Sequence, residues 1–189
     1  MHTANSFKMN IIETGIDGLL VIEPQVFHDQ RGFFYETYNT ERYHKAGVIN
    51  TFVQDNLSSS SYGVVRGLHF QKAPYTQAKL VWCLQGRVWD VAVDLRKGSP
   101  TYGKWYGVEL SDQNHLQFLI PRGFAHGFSV LSQKALFAYK CDNLYAPQAE
   151  GGIYLLDKNL NIDWKIPEDK MILSEKDKKH PYFDNSISL

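Results

Sequence analysis

The chain has 189 residues, and its 20 basic and 20 acidic side chains cancel. That balance excludes a general nucleic-acid binder and a polybasic membrane-surface protein, both of which carry a positive excess. Hydrophobic residues at 43% suffice for one core, charged residues at 21% are too few for a disordered chain, and the length fits a single domain over residues 1–189.

In chain order, the polar residues 1–8 lack the apolar stretch of a signal peptide, and Met9 is an alternative start that would make them an extension. Residues 19–27 are apolar and β-branched, with Pro24 marking an edge or a bend. Residues 32–38 form an aromatic, alternating strand, and residues 40–46 a helix capped by Thr40 and ended by Gly47. Strands over 52–56 and 64–71 flank a polar loop at 58–61. Residues 78–84 and 88–95 read as a pair joined by the hairpin signal Gln85-Gly86-Arg87. In the second of them Val88, Asp90, Ala92 and Asp94 share one face, and Trp89, Val91, Val93 and Leu95 the other. Strands over 105–110, 115–120, 127–131 and 135–141 follow, with turn residues about every 8–12 positions, the spacing of an antiparallel sandwich or barrel. Beyond Trp164, residues 165–189 read as a helical tail, with Ser174-Glu175-Lys176-Asp177 as a capping box. No apolar run is long enough to span a bilayer. Cys83 and Cys141 lack metal-ligand spacing and read as buried free thiols of a cytoplasmic protein.

Chemistry concentrates in two glycine-containing segments, Arg66-Gly67-Leu68-His69-Phe70-Gln71 and Pro121-Arg122-Gly123-Phe124-Ala125-His126-Gly127-Phe128. The second has the P-x-G-x-x-H spacing of a cupin barrel. A metal-binding cupin usually also offers H-x-H, but His69-Phe70-Gln71 puts glutamine in the second place, and two imidazoles make a poor transition-metal site. The expectation is a cupin-like barrel without metal. Arg66 and His69, three apart, face opposite ways on a regular strand unless Gly67 allows a bulge. Arg31, Arg66 and Lys79 sit in apolar strand contexts, either as cations snorkelling at strand ends or as a positive cleft for a phosphate-bearing ligand. Tyr139 is either a core residue or, with its hydroxyl in a polar cavity, a general acid. For Asp177 the residue pattern favours a helix cap over a longer-range partner.

Taken together and in order, these segments resemble the dTDP-4-dehydrorhamnose 3,5-epimerase family. The resemblance also rests on Asp29-Gln30-Arg31-Gly32-Phe33-Phe34-Tyr35-Glu36, Phe52-Val53-Gln54-Asp55-Asn56, Gln77-Ala78-Lys79-Leu80-Val81, Val88 to Asp94, Tyr139-Lys140-Cys141 and Leu173 to Asp177. It implies an all-β, cupin-type jelly-roll sandwich with short peripheral helices, a homodimer with strand exchange, no cofactor, and a dTDP-4-keto-6-deoxy sugar as ligand. It further implies His69 as general base, Asp177 as its partner, Tyr139 as the opposing general acid and Lys79 near the substrate's keto oxygen. Arg66, His126, Gln54, Asn56, Glu150 and Lys176 fall on ligand-contact positions, and Arg31 and Glu36 on positions that reach the neighbouring subunit's ligand. Trp82 departs from the family pattern, where a basic residue often follows Lys-Leu-Val. The rival readings are a mono-epimerase of the same family, a metal-dependent cupin oxygenase and a non-catalytic nucleotide-sugar-binding module.

Overall fold

The computed structural model describes residues 8–184, 187 and 189; the 1–8 extension lies, but for Lys8, outside the described residues. Thirteen strands are described, with one α-helix and three short 3₁₀ turns. The first strands are β1 (Asn10–Glu13), β2 (Leu20–Glu23), β3 (Phe27–Asp29) and β4 (Gly32–Phe34), followed by α1 (Thr40–Lys45). Then come β5 (Gln54–Ser61), β6 (Val65–Gln71), β7 (Lys79–Gln85), β8 (Arg87–Asp94) and β9 (Trp105–Ser111). The last are β10 (Gln117–Ile120), β11 (Phe124–Val130), β12 (Lys134–Cys141) and β13 (Glu150–Gly152). One sheet has the order β1-β2-β10-β7-β12-β5, the second β13-β6-β11-β8-β9, and β3-β4 form a separate hairpin. All pairs within the sheets are antiparallel, as the turn spacing predicts.

Both sheets are apolar on both faces, which explains why the central strands read as near-continuous hydrophobic runs. Between the sheets, Val81, Phe118 and Phe137 of the first pack on Val88, Ala92, Phe124 and Phe128 of the second. The outer face of the first sheet, with Leu80, Trp82 and Ala138, is covered by Tyr43 of α1 and by Val48. The outer face of the second, with Val91, Val93 and Ala125, lies under Ile153, Leu155, Leu160 and Trp164. The face assignment along 88–95 therefore holds: Val88 and Ala92 point between the sheets, Val91, Val93 and Leu95 outward.

Five expectations need correction. Gln85-Gly86-Arg87 is not a hairpin: β7 pairs with β10 and β12, β8 with β11 and β9. Gly86, at φ +80°, turns the chain from one sheet into the other, where a Cβ would sit 2.1 Å from the Lys134 carbonyl oxygen. The 19–27 strand breaks at Pro24 into β2 and β3. Ser58–Ser61 are strand rather than loop, paired with Phe137–Lys134. The helix cap is Asn39, whose side chain accepts from the Arg42 amide, so Thr40 is the first helical residue. The described part of the tail is not helical but mostly irregular, with 3₁₀ turns at Glu168–Lys170 and Asp177–Lys179. Its Ile172 exchanges backbone bonds with Gly63 and Val65, which ties it to the start of β6.

The two cysteines are free and buried. Cys83 lies opposite Phe137, four residues from Cys141 on β12, about 13 Å along the strand and beyond disulfide reach. Burial pushes both thiols up to about 11. Among the described residues no helix is long and apolar enough to cross a membrane.

One device positions the site. His126 opposes His69 and Phe128 opposes Arg66, so β6 carries one more residue than β11 over this interval. This is the bulge that Gly67 was expected to allow, and it turns both Arg66 and His69 inward while Val65, Leu68 and Phe70 pack outward. Gly67 has φ +140°, and a Cβ there would lie 2.6 Å from the Gly127 Cα. Gly67→Ala is therefore expected to lower stability by about 2 kcal/mol or more and to reduce turnover as His69 shifts. Thermal melting and kinetics of the variant check this; a melting temperature equal to that of the parent would contradict the account.

Candidate active site

At one end of the sandwich the inward-facing positions turn polar. Gln54, Asn56, His69, Gln71, Lys79, Tyr139 and Cys141, with Tyr145 and Glu150 at the rim, line a cleft of about 300 Å³. Strand parity explains the set. Lys79 is in phase with inward Val81 on β7, and Tyr139 with inward Phe137 on β12. Asn56 lies opposite Tyr139, and Gln54 opposite Cys141. The cleft thus has His69 on one sheet and Tyr139 and Lys79 on the other.

His69 Nε2 lies 2.6 Å from Asp177 Oδ1, across 108 residues of sequence. An ionised carboxylate only accepts, so Nε2 carries the proton and Nδ1 is the ring nitrogen with a lone pair. Burial pushes the Asp177 carboxyl up, but the hydrogen bond and charge of His69 outweigh it and hold it below the ordinary aspartate value. The Asp177 amide also donates to Ser174 Oγ at 3.0 Å, so the cap and the histidine partnership coexist: the backbone serves one and the carboxylate the other.

Behind His69 lies a second buried pair. His126 Nε2 donates to both Asp90 oxygens at 3.0 Å. Burial raises the Asp90 carboxyl and lowers His126, each shift opposed by the partner. Burial also lowers the Lys79 ammonium, opposed by Cys141, Asp90 and Glu150. Its Nζ is 5.8 Å from the centre of the Tyr139 ring. Burial raises the Tyr139 phenol, and the Arg66 charge opposes that shift. Arg66 itself donates to Ser60 Oγ at 3.1 and 3.2 Å, bridging the two sheets.

At the rim, Glu150 Oε2 accepts from the Tyr145 hydroxyl at 2.9 Å and pairs with Lys176 at 2.5 Å. Gln54 donates to Asn56 Oδ1 and accepts from the Tyr145 amide. Gln71, standing where a metal cupin has its second histidine, spends its amide on backbone: it donates to Tyr75 and Leu144 and accepts from Ala146. Ten of the twelve sequence-predicted residues thus gather in or around the cleft. Arg31 and Glu36 do not. Arg31 pairs with Asp29 and has a side chain 82% exposed, and Glu36 pairs with Arg42. Both belong to a segment whose Phe33 and Phe34 are 56% and 62% exposed.

Sequence reasoning gave Asp90 no site role and noted Gln71 only as the replacement for a metal-cupin histidine; His180, beside the site but not part of the cleft lining, it did not single out. Asp90 had a legible signal, since it is a charge flanked on the inward row by apolar Val88 and Ala92. His180 meets Asp177 only through the fold of the tail.

The family model described as dTDP-4-dehydrorhamnose 3,5-epimerase matches residues 13–185. The chain belongs to the dTDP-4-dehydrorhamnose 3,5-epimerase family. It is 54% identical over 170 residues to a dTDP-4-dehydrorhamnose 3,5-epimerase from Shigella flexneri, covering 89% of this chain and 93% of the relative. Its fold matches the crystal structure of an enzyme of that name from Elizabethkingia anophelis with a TM-score of 0.90 and 57% identity, over 95% of this chain and 98% of that one. A Legionella pneumophila dTDP-6-deoxy-D-glucose-3,5-epimerase in complex with dTDP-4-keto-L-rhamnose matches with a TM-score of 0.90 and 51% identity, over 96% and 97% of the two chains. These family matches bear out the fold class and the family read from the sequence.

The geometry makes the Asp177 charge the fixer of the His69 tautomer. An asparagine amide can present N–H to Nε2 and draw the proton to Nδ1. Asp177→Asn is expected to keep the Ser174 bond and a melting temperature near that of the parent, while turnover falls by about 10²–10⁴. Near-normal turnover in the folded variant would contradict the pairing.

Proposed function

We propose that the chain epimerises dTDP-4-dehydro-6-deoxy-D-glucose at C3 and C5 to dTDP-4-dehydro-L-rhamnose. A single epimerase domain carries the reaction, with no cofactor, in the reducing cytoplasm that two free buried thiols suit. The observation that carries the reading is the His69–Asp177 pair on one wall of a cleft whose other wall holds Tyr139 and Lys79.

The 4-keto group acidifies the C–H bonds at C3 and C5. His69 Nδ1 removes one of these protons, and the electron pair moves onto the carbonyl oxygen as an enolate. Asp177 stabilises the imidazolium that results. The Lys79 ammonium donates to the oxyanion, and losing such a donor typically costs about 10²–10³ in rate. Its burial among few competing waters strengthens that interaction, and the buried Asp90–His126 pair beside it supplies a compensating negative charge. The Tyr139 hydroxyl returns a proton to the opposite face of the carbon, so the centre inverts, and the cycle repeats at the second carbon. Arg66, His126, Gln54, Asn56, Glu150 and Lys176 hold the nucleotide sugar, and the guanidinium of Arg66 suits a phosphate.

Incubation in D2O with the 4-keto sugar nucleotide tests the reading. Deuterium at both C3 and C5 is expected by NMR; deuterium at one carbon only would make the chain a mono-epimerase. In Tyr139→Phe, solvent exchange should continue while epimer formation drops, because Phe keeps the ring and removes only the acid. Unchanged epimerisation by that variant would rule Tyr139 out.

We further propose a homodimer in which Arg31 and Glu36 complete the neighbour's site. The support is their distance from the chain's own cleft and the exposed phenylalanines of β4, which suit addition to another sheet. Mixing Arg31→Ala with His69→Ala protein should restore part of the activity, because one of the two hybrid sites keeps both groups. No recovery despite demonstrated subunit exchange would count against sharing.

A further inference from the structure

The ring of His180 is not used by the reaction. Its side chain is 11% exposed, and its Nε2 is buried with no hydrogen-bond partner. Packing explains the burial of the ring, which lies where a side chain on Gly152 would be. Packing does not explain where Nε2 points: it is 3.7 Å from Asp177 Oδ1, the oxygen that accepts from His69 Nε2 at 2.6 Å. One ligand atom from each of His69, Asp177 and His180 lies within 4.8 Å of the other two. Zinc with bonds of about 2.0–2.2 Å holds tetrahedral donors about 3.3 Å apart. A small opening of the His69–Asp177 contact and a small closing of His180 would reach that spacing. The donors, two imidazoles and one carboxylate, are those of a zinc site with one open position. The nearby Lys176 charge is matched by Glu150, with which it pairs.

We propose that His69 Nε2, Asp177 Oδ1 and His180 Nε2 form an inhibitory site for a divalent cation of the zinc class. This rests on the reading of His69 as the base. The set shares only His69 with the positions a metal cupin uses, and it would not serve the reaction. Its effect is a tautomer change. In the free enzyme the proton is on Nε2 and the lone pair on Nδ1. When zinc takes the Nε2 lone pair, the neutral ring carries its proton on Nδ1 instead, so one proton moves across the ring and none is released. The nitrogen that should accept the substrate proton is then already protonated. The cation sits on the Asp177 side of the ring, so the sugar nucleotide still enters the cleft. Turnover should fall while KM stays nearly constant.

The experiment uses full-length protein stripped with a chelator. Zn²⁺ alone is titrated calorimetrically, Co²⁺ serves as a visible-absorbance probe of tetrahedral nitrogen ligation, and turnover and C–H exchange in D2O are followed with and without Zn²⁺. The expected result is full zinc-free activity, loss of exchange as Zn²⁺ is added, and a fall in kcat with little change in KM. His180→Ala and His180→Gln should keep zinc-free turnover within about twofold and lose at least about 10-fold in Zn²⁺ affinity and inhibition. The Gln variant keeps bulk and polarity, so agreement between the two separates ligation from packing. Equal zinc binding in the parent and both variants would overturn the site. Zinc that binds through His180 yet leaves C–H exchange unchanged would overturn the tautomer switch. Absence of exchange in the zinc-free parent would instead overturn the reading of His69 as base, and the calorimetric titration judges the metal site independently of it.

Discussion

The site depends on the close approach of two glycines. At Gly127 a Cβ would lie 2.7 Å from the Arg66 carbonyl oxygen, and at Gly67 one would lie 2.6 Å from the Gly127 Cα. With no side chain at either place, β6 takes up an extra residue without leaving β11. Everything on β6 beyond that point is shifted by one. Without the shift, strand alternation would send either Arg66 or His69 into the apolar layer under the tail, where Leu68 and Phe70 now pack. The inner face would lose its imidazole or its guanidinium, and the cleft its chemistry.

The tail answers the second requirement, a carboxylate held against His69 from the far side. It crosses the outer face of the second sheet, anchored by Met171, Leu173 and Phe183 in that apolar layer and by backbone bonds at Ile172 and Pro181. The Phe183 backbone N–H also donates to Oδ2 of the buried Asp157. Asp177 is then delivered with its side chain only 4% exposed, which is unfavourable for a charge unless it is well bonded. Against that burial, the bonds from His69 and Ser174 and the charges of His69 and His180 hold its carboxyl below the ordinary aspartate value.

Much of this was legible in the sequence, for identifiable reasons. Inward and outward rows on β7, β8 and β12 follow from period two alone, so Lys79, Tyr139 and Asp90 could be assigned to faces once one apolar neighbour was placed. What failed was partner choice. A glycine between two strands signals a sharp reversal, but the same signal serves a hairpin within one sheet and a corner between two, and only the pairing of β7 with β10 and β12 distinguishes them. The serines of β5 looked like loop because an edge strand with a polar cleft needs little apolar content. The tail looked helical because the Ser174 cap is real, yet one 3₁₀ turn satisfies it. The His69–Asp177 contact was accessible through family resemblance; residue pattern favoured a local cap, and nothing local announces a bond spanning 108 residues.

That separation has a consequence for how the protein is made. His69 leaves the ribosome 108 residues before the carboxylate that sets its tautomer. The sandwich strands through β12 are synthesised in between, so a nascent chain can close its cleft around a base that still lacks its partner. The His69–Asp177 pair therefore forms only once Asp177 has been made and the tail has packed on the second sheet. Proteolysis that releases the tail would take Asp177 from His69 and Lys176 from Glu150, and would uncover the apolar layer on which the tail packs.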